Sequence, residues 1–400
     1  MFLTLSDVDT HGKSVLVRLD LNSPMDPSGV ILDDMRFRCH IPTLKELEDA
    51  KVVIMAHQSR PGKKDFTTME PHAKLLTKLL GRKVEYVDDI FGSHARSMIR
   101  NLASGEIMLL ENVRFYSEET LSRTPEEHAT THMVRRLAPL FDLFVNDAFS
   151  ASHRSHASIV GFTPVLTSVA GKLMETEIRS LSKTLEGRGR TVFVLGGVKP
   201  EDSLKMAENV LKMSETSVIF TGLIANLCLF AKGIKLGEDN EKLLKSMGMT
   251  DYIDNVKKIL DNFGDRILLP VDFGVDANGK RRNITIEELP TPHTIMDIGE
   301  KSIEIFKKEI ESANVVVMNG PAGVIENPNY QLGTFELLKA ATKAKYSVIG
   351  GGHISAAANR VGVVSKLSHV STGGGATLEF LSGEKLPGIE ALQRWAKKTR

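Results

Sequence analysis

Short runs of β-branched and aliphatic residues recur along the whole chain, and they are apolar without alternation. In the first half they read SVLVRLD (14–20), KVVIMAH (51–57), KVEYV (83–87), IMLLEN (107–112) and LFVND (143–147). In the second half they read TVFVLGG (191–197), SVIFTG (217–222), RILLPVD (266–272), NVVVMNG (314–320), SVIGGG (347–352) and SHVSTGGG (368–375). A strand with one face in water alternates apolar and polar residues, whereas one covered on both faces does not. Segments of helical spacing, such as PTLKELEDA and PNYQLGTFELLKAAT, separate the runs, and Pro42 suits a first helical turn. The pattern predicts an α/β protein built on doubly wound, Rossmann-like parallel sheets.

So many strands call for two sheets, and the break is expected near AGKLMETEIRSLSKTLEGRGR. Met174, Ile178, Leu181 and Leu185 fall on one face of a helix there, and EGRGR reads as the loop that follows. The predicted division is a lobe over 1–170, a connecting helix over 171–187, a second lobe over 188–382 and a terminal segment over 383–400. A helix between two lobes leaves a cleft that can close.

Composition bounds the partners. Among 400 residues, 51 basic and 50 acidic side chains give a net charge of +1, which disfavours a bulk polyanion such as duplex DNA. Aromatic residues are 6% of the chain, too few for single-strand stacking platforms. Cys39 and Cys228 lie far apart and offer neither a disulfide framework nor a zinc spacing, so a reducing, cytoplasmic compartment is expected. MFLTLSDVDTHGK is no signal peptide, and the apolar stretch GLIANLCLFAKG is too short to span a bilayer. No nucleic-acid or membrane partner is expected.

In open parallel sheets, ligands bind beyond the carboxyl ends of the strands. The two halves of the chain differ there. First-half runs end in Asp20 and Asn22, in His57 and Arg60, in Asn112 and Arg114, and in Asn146 and Asp147, followed by His153, Arg154 and His156; Arg36 and Arg38 lie in the first crossover. Second-half runs end in Gly196-Gly197, Gly222, Gly320, Gly350 to Gly352 and Gly373 to Gly375. Guanidinium forks suit carboxylate and phosphate. Glycine turns bring backbone N–H groups and helix N-termini onto phosphate oxygens. One lobe therefore suits a small polyanion and the other a nucleotide, and phosphoryl transfer is the reaction that joins them.

Taken singly, each feature has a plainer reading. An arginine can be a surface ion pair, a Gly-Gly a simple turn, and His153 and His156 structural. HRSH offers two ligands at i, i+3 without a third, so no metal site is assigned. There is no P-loop, no dinucleotide fingerprint and no protein-kinase catalytic set. On the residues alone, a non-catalytic nucleotide or anion sensor, or a kinase for another carboxylate, also fits.

LVRLDLNSP, AHQSRPG, LLENVRFYSEE, FVNDAFSASHRSHASIVGF, FVLGGVKPEDSL, VMNGPAGVIENPNYQLGT, VIGGGH and HVSTGGGATLEFLSGEKLPGIEAL resemble, in order and from about residue 15 to 392, the blocks of phosphoglycerate kinase, with local variants like the archaeal form. The resemblance implies transfer of a phosphoryl group from 1,3-bisphosphoglycerate to ADP, giving 3-phosphoglycerate and ATP, by in-line transfer with hinge closure. It implies a glycerate-binding first lobe, a second lobe for Mg-nucleotide and a terminal segment returning to the first lobe; a monomer is expected.

It places Asp20, Asn22, Arg36, His57, Arg60, Arg114 and Arg154 in the glycerate site. Arg36 would reach the transferring group, Asp20 and Asn22 the hydroxyl, and the rest the 3-phosphate. Nucleotide contacts would come from Gly196, Gly197, Lys199, Gly222 (adenine), Asn319 (phosphates), Glu326 (ribose), Gly350, Gly351, Gly352, His353 and Ile354. Gly352 and Gly374, with Arg36 and Lys199, would stabilise the transition state. Two positions depart from the family pattern. Ser203 replaces a second lysine, with Lys205 two residues on, and His353 replaces an acid that serves the metal. Magnesium prefers hard oxygen ligands, so Mg²⁺ is expected on the nucleotide, with no protein ligand assigned.

Overall fold

The computed structural model describes residues 2–186 and 189–398. The chain forms two compact units, one of Met1–Arg179 with Lys385–Arg400 and one of Ser180–Glu384.

The first unit holds β1 (Ser14–Arg18), β2 (Lys51–Met55), β3 (Val84–Val87), β4 (Ile107–Leu110), β5 (Leu143–Asn146) and β6 (Thr167–Ala170). They form one parallel sheet in the order β3-β4-β2-β1-β5-β6. The absence of alternation has a direct cause. Val15 and Val17 of β1 pack with Val52, Ile54, Phe37 and Leu44 on one face. Leu16 packs with Val53, Met55, Phe144 and Leu137 on the other. Burying such a side chain is worth about 1.5–3 kcal/mol, so both faces are held firmly under helices. After β1 the chain adds β2, β3 and β4 on one side and then crosses to add β5 and β6 on the other. The order reverses between β1 and β5, where such sheets open a crevice.

The second unit holds β7 (Thr191–Leu195), β8 (Thr216–Phe220), β9 (Ile267–Leu268), β10 (Asp272–Ala277), β11 (Lys280–Thr285), β12 (Thr294–Ile298), β13 (Val315–Asn319), β14 (Tyr346–Gly350) and β15 (His369–Ser371). Its parallel sheet runs β15-β14-β13-β7-β8-β9, with the reversal between β7 and β13. The α/β expectation of two doubly wound parallel sheets is met.

Three features differ from the sequence reading. A three-stranded antiparallel sheet, β11-β10-β12, stands beside the second parallel sheet. The run RILLPVD is not one strand, because it divides between β9 and the first residue of β10. The hairpin signal is nonetheless present: Ala277 pairs with Lys280 around Asn278-Gly279, both at positive φ (56° and 80°), the conformation a tight two-residue hairpin needs. Second, β6 closes the edge of the first sheet from the unassigned segment TSVA. Third, Pro42 lies inside the helix Met35–Glu46 rather than at its start. The helix begins earlier, at the DDMRFR segment, and Pro42 leaves the Arg38 carbonyl without its i+4 donor.

The helix Lys172–Glu186 carries the boundary between the units, and Met174, Ile178 and Leu181 are buried along it. Of the expected loop at 186–190, Gly187 and Arg188 lie outside the described residues. The terminal helix Pro387–Lys398 packs on the first unit. There the Gly388 amide donates to the Ser152 carbonyl at 2.9 Å, and Ala391 packs with Ala148, Ala151, Ile159 and Val160. A Cβ on Gly388 would lie 2.8 Å from Ser152 Oγ, so only glycine allows this approach. Among the described residues, no helix is long and apolar enough to cross a membrane.

Candidate active site

The first unit gathers its polar residues where β1, β2, β4 and β5 end. Asp20, two residues past β1, accepts on Oδ2 from Arg36 Nη1 and from the Ser150 hydroxyl, and Arg36 Nη1 also reaches Ser150 Oγ at 3.1 Å. Arg36 can do this because the helix Met35–Glu46 starts beside the strand end, placing it in the first turn. Burial pushes the Asp20 carboxyl up, but Arg36 foremost, with His57, Ser150 and Arg18, holds it well below the usual carboxylate range. Asn22 donates its amide to Asp20 Oδ1 at 3.2 Å and accepts the Ser59 amide on Oδ1 at 2.8 Å.

His57 is buried, and burial drives it well below its ordinary value. Asp20 opposes that shift, while Arg18, Arg114 and Arg154 reinforce it. Burial, with the pressure of Arg154 and Arg18, lowers Arg114 to about 10. Its Nη1 donates to the Ser59 carbonyl, while its buried Nε has no partner among the described residues. The Arg154 guanidinium makes no hydrogen bond or ion pair among the described residues, although the residue is half-buried. Arg60 is exposed, and its side chain makes no hydrogen bond or ion pair among the described residues. The structure thus brings Asp20, Asn22, Arg36, His57, Arg114 and Arg154 together and leaves Arg60 at the rim. Arg38, by contrast, is a surface residue paired with Asp34 at 2.7 Å.

The two histidines of SHRSH have different surroundings. His156 faces the buried Glu119 at 3.7 Å. His153 is lowered to about 4 by burial and then by Arg154. Sequence reasoning did not single out Arg18, Ser150, Ser158, Glu119 or His40 as site residues. A buried arginine inside SVLVRLD reads like any strand residue, and the others meet the site only through tertiary contacts.

The second unit carries a cavity of about 460 Å³ at the β7/β13 reversal. Gly196, Gly197, Lys199, Gly222, Asn319, Gly351, Gly352, His353, Ile354 and Gly374 line it, with Glu326 at its edge. Gly350 closes β14 and is not among the lining residues. Two strand-end loops interlock: the Gly196 amide donates to the Asn319 carbonyl at 2.8 Å and the Gly197 amide to the Pro321 carbonyl at 3.0 Å. A Cβ at Gly196 would lie 2.4 Å from Pro321 O, and one at Gly320 2.4 Å from Gly196 O, so neither position tolerates a side chain.

Four helices start at this cavity: Pro200–Val210 after Lys199, Gly222–Ala231, Gly352–Val361 and Gly375–Leu381. Each start leaves backbone N–H groups unpaired and positive potential facing the cavity. The Lys199 ammonium is exposed and has no ion pair among the described residues. Ile354 contributes backbone only, since its side chain belongs to the core. His353 Nδ1 lies 4.0 Å from Glu326 Oε1, both largely exposed. Ser203 lines the cavity, but Lys205 does not; its ammonium pairs with Glu384 at 2.7 Å. Part of the apolar wall, Phe273, Ile295 and Met296, comes from the antiparallel sheet, which the sequence pattern did not reveal.

The phosphoglycerate kinase family model matches residues 5–384. Phosphoglycerate kinase of Methanosarcina mazei is 53% identical over 98% of this chain and 95% of its own length. The Archaeoglobus fulgidus enzyme of that name is 52% identical over 99% of this chain and 97% of its own. Among solved structures, phosphoglycerate kinase from Pyrococcus horikoshii superposes with a TM-score of 0.92 at 42% identity, covering 99% of this chain and 100% of that one. The Coxiella burnetii enzyme gives 0.83 at 32%, covering 98% and 99%.

Proposed function

This chain belongs to the phosphoglycerate kinase family and catalyses phosphoryl transfer between 1,3-bisphosphoglycerate and ADP, and we propose how its residues divide that work. The first unit takes the glycerate. Arg36 meets the carboxyl or acyl-phosphate end, Asp20 and Asn22 the hydroxyl, and His57, Arg60, Arg114 and Arg154 the 3-phosphate. The second unit takes the nucleotide on Gly196, Gly197, Lys199, Gly222, Asn319, Glu326 and the Gly350–Ile354 turn.

The observation that carries the first assignment is charge. The guanidinium groups of Arg18, Arg36, Arg114 and Arg154 outnumber the carboxylates that act on them most strongly, Asp20 and Glu119. The excess positive charge is met by a substrate with a phosphate of its own at each end, which a simple carboxylic acid lacks. The observation that carries the second is the convergence of four helix starts on one cavity.

Phosphoryl transfer asks the protein for positioning and for stabilisation of charge on the equatorial oxygens. Arg36, Lys199 and the amides of Gly352 and Gly374 supply it. Both nucleophiles, a phosphate oxygen of ADP and the carboxylate of 3-phosphoglycerate, are already ionised, so no general base is needed. Among the described residues, no three His, Cys, Asp or Glu side chains gather as a metal cage. The cavity offers oxygen ligands in Asn319, Asp202 and Glu326, and in His353 a nitrogen, which suits magnesium poorly. This donor set fits magnesium that arrives on the nucleotide, keeping waters and phosphate oxygens; bound there it would neutralise charge on the transferred group.

With one substrate on each unit, transfer needs closure, with hinges at the ends of the helix Lys172–Glu186. We place the enzyme in the cytoplasm, as a monomer, on its free Cys39 and Cys228 and on a site that each chain assembles by itself. A coupled assay over a panel of carboxylates and acyl phosphates tests the assignment. Activity confined to 3-phosphoglycerate and its acyl phosphate is expected, and equal turnover of acetate would contradict it.

A further inference from the structure

Arg18, the last residue of β1, is 1% exposed and the largest fully buried side chain among the described residues. Each nitrogen of its guanidinium is used. Nε donates to Ser158 Oγ at 2.7 Å, Nη1 to the Leu19 carbonyl, and Nη2 lies 3.0 Å from His57 Nδ1. Behind it, the Ser158 hydroxyl donates to Glu119 Oε1 at 2.7 Å and the Ser158 amide to Glu119 Oε2 at 2.8 Å. Glu119, Ser158, Arg18 and His57 come from four separate sequence blocks and form one buried file that ends at the glycerate site. Apolar replacement of a buried ion pair is often neutral or stabilising, so packing alone gives no reason for it.

A guanidinium N–H can only donate, so Nδ1 of His57 must present its lone pair. The single ring proton is then on Nε2, which meets no hydrogen-bond partner among the described residues. We propose that Arg18 is a positioning residue for the known reaction: it fixes His57 as the neutral Nε2–H tautomer and so presents a permanent donor to the substrate's phosphate. The proposal rests on the reading of His57 as a phosphate ligand.

The charged groups that act on His57 are Asp20, which favours an imidazolium, and Arg18, Arg114 and Arg154, which oppose it together with burial. An imidazolium would also set N–H against N–H at Arg18. Glu119 allows the arrangement, since it offsets the Arg18 charge through Ser158 without touching His57. The donor therefore stays in place through the pH range in which a free histidine changes charge.

Histidine nitrogen NMR on the full-length protein reads the tautomer directly. We expect His57 as Nε2–H from about pH 5 to 8, and an Nδ1–H or charged ring would overturn the proposal. Arg18→Met alone strands the buried Glu119, so the kinetic arm uses Arg18→Met with Glu119→Gln, checked for folding by circular dichroism. KM for 3-phosphoglycerate should rise about tenfold, the scale of one hydrogen bond, and by more than kcat falls. Arg18→Lys, which keeps a donor and a charge, should recover part of the loss. An unchanged KM in the folded double variant, with a raised one in His57→Ala, overturns the role of Arg18 alone; an unchanged KM in His57→Ala overturns both readings.

Discussion

His40 Nδ1 donates to Asp147 Oδ2 at 2.7 Å, with both side chains buried, while His40 Nε2 accepts the Asp20 amide at 3.1 Å. One imidazole therefore joins the strand end that carries the site's Asp20 to a carboxylate outside it. Asp147 has further duties. It accepts the Thr43 hydroxyl at 2.7 Å, and its Oδ1 accepts the amides of Leu173 and Met174 at 2.9 and 3.1 Å. It is thus the cap of the helix Lys172–Glu186, supplied from the end of β5.

Asp147→Ala should cost about 3 kcal/mol, because it leaves two helix amides, a hydroxyl and His40 without their acceptor. Urea denaturation should show the loss, and Asp147→Asn, which keeps one acceptor oxygen, should lose less. An Asp147→Ala variant as stable as the parent would show that the carboxylate does not hold this helix.

Arg36→Ala and Lys199→Ala should each lower kcat by about 10³–10⁵, the scale for losing a cation placed at a transferring phosphoryl group. Lys199 is largely exposed, so the melt of its variant should move little, whereas Arg36→Ala also leaves the buried Asp20 without its main cation and should lower the melt as well. Steady-state kinetics beside a melt separates the two effects. Near-normal turnover in both variants would remove these residues from the reaction.

Gly320→Ala should raise KM for ADP while KM for 3-phosphoglycerate stays in place, since the new methyl would press on the Gly196 carbonyl at 2.4 Å and distort the nucleotide cavity alone. The φ of +77° adds strain of about 1 kcal/mol for any L side chain. A parallel rise in both constants would point to general unfolding instead.

Acid should destabilise the protein through histidines that fold neutral. Burial lowers His72 to about 4. Its Nε2 lies 3.0 Å from Gln58 Oε1, and its ring stacks on Phe37. A folded value below the unfolded one means that the unfolded chain binds the proton first. Stability is then full above about pH 6.5 and falls toward pH 4, by about 1.4 kcal/mol per pH unit for each such group. Denaturation at pH 7 and pH 5 should show this slope, and His72→Gln should reduce it by one proton. An unchanged slope would mean that His72 does not contribute.

The parts of the fold that sequence made legible are those where one element suffices. A strand buried on both faces must be continuously apolar, so β1, β2 and β5 declare themselves. The β10–β12 sheet did not, because β11 is largely exposed and carries Lys280, Arg281 and Arg282, which mask the alternation. Only Asn278-Gly279 marked it. In the site, Asp20, His57 and Arg114 are visible because polar and charged residues at strand ends are conspicuous, and Arg36 because it lies in the first crossover, while Lys199 came only with the family resemblance. Arg18 and His40 were not, since their meaning lies in partners such as Ser158 and Asp147, more than a hundred residues away in sequence.

The central claim is that each unit holds one substrate. It is tested most directly by a crystal structure of the full chain with 3-phosphoglycerate and a magnesium-bound, non-hydrolysable ATP analogue. We expect the 3-phosphate within hydrogen-bond reach of His57 Nε2 and Arg154, and the nucleotide phosphates against the amides of Gly352 and Gly374. Both ligands on one unit, or a 3-phosphate away from Arg114 and Arg154, would contradict the account.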